Sequence, residues 1–167
     1  MRSRPILNST RLVVLAVWFG AALFFSAVVA PAAFGVLRSY GLPNASEIAG
    51  GIVTRSLSVV NVAGFVLALL LLVTLFLRRS SAGRGSFIAE AICLVLVALA
   101  TSVGHWVIAA RMRAIRAALE LPIDQIAADD SRRLAFNSLH GYSVNALALA
   151  MIAALVALVM MARSLRN

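Results

Sequence analysis

Lysine is absent from this sequence, and negatively charged residues are few. All 15 basic residues are arginines, against six aspartates and glutamates, and the formal net charge is +9. The arginines lie between and beside apolar segments, where they would meet lipid headgroups, and no basic run is interleaved with aromatic residues. The charge therefore predicts membrane lipid as a partner and gives no indication of nucleic-acid binding.

Metal-ligating and catalytic residue types are also scarce. The single cysteine, Cys93, excludes an intrachain disulfide and cannot form a cysteine zinc site. The two histidines, His105 and His140, come without an HxxxH or CxxC pattern, so the ligand set is too small for zinc. No nucleophile with a base and an orienting residue is evident, and no glycine loop that would cradle phosphate. We therefore expect a protein that is not an enzyme and holds no metal or cofactor.

Apolar residues are abundant instead. They make up 62% of the chain, against about 45–50% in a soluble domain. The mean hydropathy is +0.99. A soluble fold of 167 residues could not bury this much apolar surface, so lipid must act as the solvent.

Four long apolar segments predict the architecture. They cover residues 12–37, 57–77, 91–110 and 141–162, and about 20 residues are enough for a helix to cross the bilayer. We predict an all-α, integral membrane four-helix bundle, with residues 1–167 forming a single membrane domain. A cleaved secretory signal is the alternative for the first segment, although the apolar run is longer than the ~7–15 residues typical of a signal core. Pro31 should kink or loosen the first helix, because it has no N–H to donate.

The connections contain the helix-capping residues and most of the charged residues. Residues 38–56 are predicted as the first connection, with Asn44 or Ser46 capping a helix and Glu47 in its first turn. The turn at 78–86 contains Arg78, Arg79 and Arg84, which mark it as cytoplasmic by the positive-inside rule. We therefore expect a bacterial inner (plasma) membrane protein with both termini inside. Glu90 is interpreted as a first-turn residue of the third helix, where the helix dipole favours an anion.

The third and fourth helices are predicted to project beyond the bilayer. No helix breaker occurs between Arg111 and Leu121, so the third helix should continue through Arg113 and Arg116 and end before Pro122. Asp130 or Ser131 should cap the fourth helix. The acidic stretch 121–130 then lies at the tip of this hairpin.

Polar residues recur at one level of the apolar segments. His105, Asn61, Asn145 and Pro31 lie at similar depths if the helices stand upright, and His140 and Arg55 lie further out. Thr54, Ser58 and Asn61 share one helical face, which should point into the bundle. The predicted ligand-binding or polar layer comprises His105, His140, Asn61, Asn145, Arg55, Asn137 and Tyr142.

Three functions are compatible with this layer. The favoured one is a non-enzymatic membrane protein that binds or passes a small ligand or ion. The alternatives are a haem- or metal-binding redox protein that uses His105 and His140, and an accessory subunit of a larger membrane complex. A homo-oligomer also remains open. The outer hairpin is either a solvated cap or a gate in which Arg113 or Arg133 reaches Asn137 and His140.

Short motifs at both ends of the chain resemble a known membrane family. In the first segment they are Trp18, Phe19, Gly20, Phe24, Phe25, Val28, Pro31 and Phe34. Before the last segment they are Phe136, Leu139, His140 and Ser143. Together they are similar to the transmembrane-protein-205-like family, a bacterial membrane domain of unknown function, although the second segment reads SVVNVAG where that family is rich in proline and tyrosine. The resemblance implies a four-span protein with no established biochemical activity.

Overall fold

Four long helices form the protein, as the sequence predicts. The computed structural model describes residues 3–42, 44–77, 84–119 and 121–166, and no β-strand occurs among them. Its elements are α1 (Ser3–Phe24), a π-helical turn (Phe25–Val29), α2 (Ala30–Ser39), α3 (Ala45–Leu77), α4 (Arg84–Ser102), a second π-helical turn (Val103–Ile108), α5 (Ala109–Ala117), a 3₁₀ turn (Ile123–Gln125) and α6 (Ser131–Arg166).

These elements make four membrane spans. The segments long and apolar enough to cross a bilayer are Ile6–Ser39 (span 1), Ala45–Leu77 (span 2), Gly85–Ala117 (span 3) and Ser131–Leu165 (span 4). At 1.5 Å per residue, the 33 residues of span 2 measure about 50 Å, against a hydrocarbon thickness of about 30 Å. All four helices are therefore longer than the hydrocarbon layer, and the predicted extensions of the third and fourth helices are confirmed.

The first connection is much shorter than the predicted 38–56. Span 1 ends at Ser39 and span 2 begins at Ala45. Gly41 turns the chain with φ at +64°, a conformation that glycine adopts without strain. The carbonyl of Asn44 accepts the N–H groups of Glu47 and Ile48, which makes Asn44 the first capping residue. The prediction was wrong because Gly50 and Gly51 look like loop residues, whereas here both lie inside the helix.

The loosened helix expected at Pro31 takes the form of a π-helical turn. Residues Phe25–Val29 form this turn, and the Ala30 N–H donates to the carbonyl of Phe25, five residues earlier. Because Pro31 has no N–H, the preceding backbone lacks one α-helical hydrogen bond, and a wider turn accommodates the loss. Span 1 then continues as a regular helix to Ser39.

Span 4 begins where its capping residues predict. One carboxylate oxygen of Asp130 accepts the backbone N–H of Arg132 at 2.8 Å. The other carboxylate oxygen accepts from the Arg132 guanidinium at 2.8 Å. These hydrogen bonds from Arg132 lower the pKa of Asp130 to about 2. The cap therefore stays ionised at neutral pH and fixes the start of the helix.

The four spans pack as antiparallel neighbours around one core. Spans 1 and 3 each pack against spans 2 and 4. Span 4 meets its neighbours through small residues: Ala150, Ala154 and Ala157 have no exposed surface. Cys93 is buried in the same core.

Two glycines let neighbouring spans approach closely. A Cβ on Gly64 would lie 2.6 Å from Cζ2 of Trp18, so the indole of span 1 lies directly against the backbone of span 2. The Trp18 indole N–H also donates to the carbonyl of Val60 at 2.9 Å. A Cβ on Gly104 would lie 3.1 Å from the Asn61 amide nitrogen, so spans 2 and 3 meet through that amide.

Candidate functional site

All four spans line a cavity at one end of the bundle. At this end, the loop end, span 1 is connected to span 2 and span 3 to span 4; at the opposite end, the terminal end, span 1 begins and span 4 ends. The cavity, called the apolar cavity below, has a volume of about 330 Å³. Most of its lining is apolar, including Phe25, Pro31, Phe34 and Met151. The polar residues of the lining are Ser26, Thr54, Ser58, Asn61, His140 and Ser143.

Span 2 supplies a polar face to the apolar cavity, as its spacing predicts. Thr54, Ser58 and Asn61 all line the cavity, one helical turn apart. Asn61 is only 3% exposed. An amide at this depth is costly on a lipid-facing surface, which explains why this face points inward.

His105 lies beside the apolar cavity rather than in its wall. It belongs to the π-helical turn Val103–Ile108, and its Nδ1 is 3.2 Å from the Ser58 hydroxyl. Its ring also meets Trp106 edge to face, with ring centroids 4.8 Å apart. Ser58 therefore connects the histidine to the cavity. The hydroxyl of Ser102, three residues earlier, donates to the carbonyl of Leu99 in its own helix.

A second cavity, the polar mouth, adjoins the first at the loop end. It has a volume of about 320 Å³. Its charged and polar lining residues are Arg38, Ser46, Thr54, Arg116, Asp124, Asn137 and His140. It shares five lining residues with the apolar cavity: Phe34, Val53, Thr54, Met112 and His140. The two spaces together run from the apolar interior of the bundle to a charged rim.

Arg116 is held in place by two contacts at the polar mouth. Its guanidinium carbon lies 4.9 Å from the ring centroid of Phe136, a cation–π distance. Its Nη2 also lies against the backbone at Gly50, where an added Cβ would clash with it. The guanidinium thus contacts both an aromatic ring and a stretch of backbone that carries no side chain. The sequence analysis included Arg116 in the helix extension but not in the site.

The structure separates the predicted polar layer into two groups. His105, His140, Asn61 and Asn137 lie in or beside the two cavities. Asn145, Arg55 and Tyr142 are exposed on the outside of the bundle and line neither cavity. The predicted placement of these three is therefore corrected. Depth along a helix can be counted from sequence, but the face that a residue presents depends on how the helix is rotated against its neighbours.

The prediction that Arg113 or Arg133 reaches Asn137 and His140 as a gate is also wrong. Arg133 donates to the backbone carbonyls of Asp124 and Ile126, so its guanidinium holds the connecting loop. Arg113 is exposed and lines neither cavity. Arg116 is the arginine that accompanies Asn137 and His140. His105 and His140 do not line a common cavity, and the described residues contain no group of three histidine, cysteine or carboxylate side chains placed to hold a metal.

A buried ion pair at the terminal end was missed by the sequence analysis. The Arg11 guanidinium donates to the Glu90 carboxylate at 2.7 Å and to the carbonyl of Leu71 at 3.1 Å, joining spans 1, 2 and 3. The two side chains are 3% and 10% exposed. Helix α4 begins at Arg84, so Glu90 lies beyond the first turn, and its interpretation as a helix-dipole residue is wrong. The sequence did contain a signal for this pair. Glu90 is a lone carboxylate in an apolar helix, and Arg11 lies at the start of another apolar helix. The arginine turn that begins at Arg78 lies, up to residue 83, outside the described residues.

The fold and the two cavities define a multi-pass membrane helix bundle. Residues 13–120 match a family described as a domain of unknown function (DUF4149), and the chain belongs to this family. The matched region covers most of spans 1 to 3, so it includes the span 2 face and Arg116, while span 4 lies beyond it. No curated protein and no solved structure matches the chain.

Proposed function

We propose that this protein is not an enzyme and that it binds or passes a small lipophilic ligand through the apolar cavity. The observation that carries the proposal is the cavity itself, about 330 Å³ of mostly apolar lining to which all four spans contribute. Ligand sites are typically concave, mostly apolar and about 300–1,000 Å³ in volume, with a few convergent polar groups.

The convergent groups give the cavity its selectivity. Thr54 and Ser58 from span 2 and Ser143 from span 4 bring hydroxyls to the lining, and Asn61 adds an amide. A ligand with an apolar body and one hydrogen-bonding group satisfies both parts of the lining.

The cavity lies in the half of the bilayer away from the cytoplasm if both termini are inside. We propose this orientation and a bacterial inner membrane location, on the basis of the arginine turn between spans 2 and 3 and the basic residues near the N-terminus. Membrane lipid is then the natural partner. We also propose that the protein is related to the transmembrane-protein-205-like family. This relation concerns the four-span architecture, and no activity is transferred from it.

Topology is tested by single-cysteine labelling in intact cells. The buried Cys93 is first replaced by alanine, and cysteines are then placed at Ser81 or at Ala127. A membrane-impermeant maleimide should label Ala127→Cys from outside and should label Ser81→Cys only after the membrane is permeabilised. Labelling of both positions from the same side would contradict the four-span topology, and the reverse pattern would contradict the orientation.

Filling the cavity should abolish ligand binding. Ala148 lines it from span 4, and Ala148→Phe should reduce the binding of radiolabelled decanol to protein in lipid nanodiscs at least tenfold, because the ring occupies the ligand's volume. Empty nanodiscs measure the partition background. The matched control is Ala63→Phe, an exposed position on span 2, which should bind decanol like the wild type. Equal binding by the two variants would show that decanol does not enter this cavity.

A further inference from the structure

We propose that the natural occupant is a single-chain amphiphile with a monoanionic headgroup, its chain in the apolar cavity and its headgroup on Arg116 in the polar mouth. This inference rests on the proposed function and adds the chemical class of the ligand. Its basis is the juxtaposition of an apolar space and a cationic one that share Phe34, Thr54, Met112 and His140 in their walls.

The cationic group of the polar mouth is preorganised. The Arg116 guanidinium contacts both the Phe136 ring and the backbone at Gly50. Among the described residues, no carboxylate forms an ion pair with Arg116. A planar guanidinium binds a carboxylate or a related anion by two parallel hydrogen bonds, and a fixed one loses little entropy in doing so.

The other charges of the mouth favour a single negative charge on the ligand. Asp124 and Arg38 also line it, and the two of them meet Glu47 in a shallow pocket on the far side. Among the described residues of the lining, two arginines and one aspartate give a formal net charge of +1, which a single negative charge on the ligand balances. A dianionic headgroup would leave one negative charge unbalanced beside Asp124, and a positively charged headgroup would face Arg116.

The apolar part of the ligand is placed by the shared wall. His140, Thr54 and Phe34 border both spaces, so a headgroup on Arg116 puts the first carbons of its chain between them. The chain then passes Pro31 and Met151 toward the interior of the bundle. The side chains of His140 and Thr54 are available for hydrogen bonds at this junction.

The test compares decanoate with decanol, which differ only in the headgroup. Binding is measured in phosphatidylcholine nanodiscs at mildly alkaline pH, where the carboxyl group is ionised. The wild type should bind decanoate about tenfold or more tightly than decanol, the size expected for a charge-assisted hydrogen bond. Arg116→Gln should remove this preference and leave decanol binding unchanged. Arg116→Lys, which keeps the charge but not the paired donors, should retain part of it.

Two control substitutions separate the guanidinium from general charge and packing. Arg113→Gln removes an exposed arginine from the same helix and should keep the preference. Gly50→Ala should weaken decanoate binding, because its Cβ displaces the Arg116 headgroup, whereas Gly51→Ala has open space around it and should not. A preference that survives Arg116→Gln, or that Arg113→Gln removes equally, would overturn the inference.

Two further measurements test which kind of anion binds. They also separate a failure of this inference from a failure of the proposed function. Decyl phosphate should bind more weakly than decanoate, and nanodiscs of anionic phosphatidylglycerol should not displace decanoate. Tighter binding of the phosphate, or displacement by the two-chain lipid, would overturn the assignment of a single-chain monoanion. Equal binding of decanol and decanoate would overturn this inference alone, and binding of neither would overturn the proposed function with it.

Discussion

Glu90→Gln should lower the free energy of unfolding by about 3–5 kcal/mol, the largest effect expected from a single substitution in this protein. The change removes the carboxylate that lies 2.7 Å from the Arg11 guanidinium and leaves the positive charge buried between the spans. A buried charge that loses its partner keeps its desolvation cost, so breaking the pair costs far more than the pair itself contributes. Unfolding by SDS in mixed micelles, followed by circular dichroism, measures the loss.

A double substitution separates this cost from a need for the ion pair itself. Arg11→Met combined with Glu90→Leu removes both charges and should recover most of the stability, because apolar side chains of similar volume can fill the space. The matched control is Arg132→Ala, which removes an exposed ion pair with Asp130 and should have a much smaller effect. If Glu90→Gln is no more destabilising than Arg132→Ala, the terminal-end pair does not hold the bundle together.

Gly64→Ala should destabilise the protein by about 1–3 kcal/mol, the usual cost of overpacking a well-packed site. The new Cβ would lie 2.6 Å from Cζ2 and 2.7 Å from Nε1 of Trp18. The indole cannot swing away cheaply, because it is 6% exposed and its N–H bonds the Val60 carbonyl. Spans 1 and 2 must therefore separate slightly, and the same SDS titration should report the loss.

Two comparisons show whether the clash with Trp18 is the cause. Gly20→Ala places a methyl group where nothing lies within 4 Å, so it should be neutral or slightly stabilising. In a Trp18→Phe background the clashing indole atoms are absent, and Gly64→Ala should cost less than in the wild type. Additive effects of the two substitutions would mean that Gly64 and Trp18 do not interact.

The sequence alone determined the class of protein and most of its helical outline. The excess of apolar residues fixed lipid as the solvent, and four apolar runs fixed the number of spans, because a helix must cover a set thickness of hydrocarbon. Local chemistry fixed several boundaries: Asp130 caps span 4, and Pro31 follows a π-helical turn. The inward face of Thr54, Ser58 and Asn61 also followed from spacing, because polar groups on one stripe avoid lipid.

Only the tertiary structure decided which polar residues meet. Asn145 lies at a suitable depth but faces outward, and Arg116 enters the site because Gly50 on another span leaves room for it. The same holds for Arg11 and Glu90, which are 79 residues apart in the chain and in hydrogen-bonding contact in the bundle. The spacing of residues along one helix predicts how deep each lies and which residues share a face. How the helices are rotated and paired depends on side-chain packing between spans, which no single segment encodes.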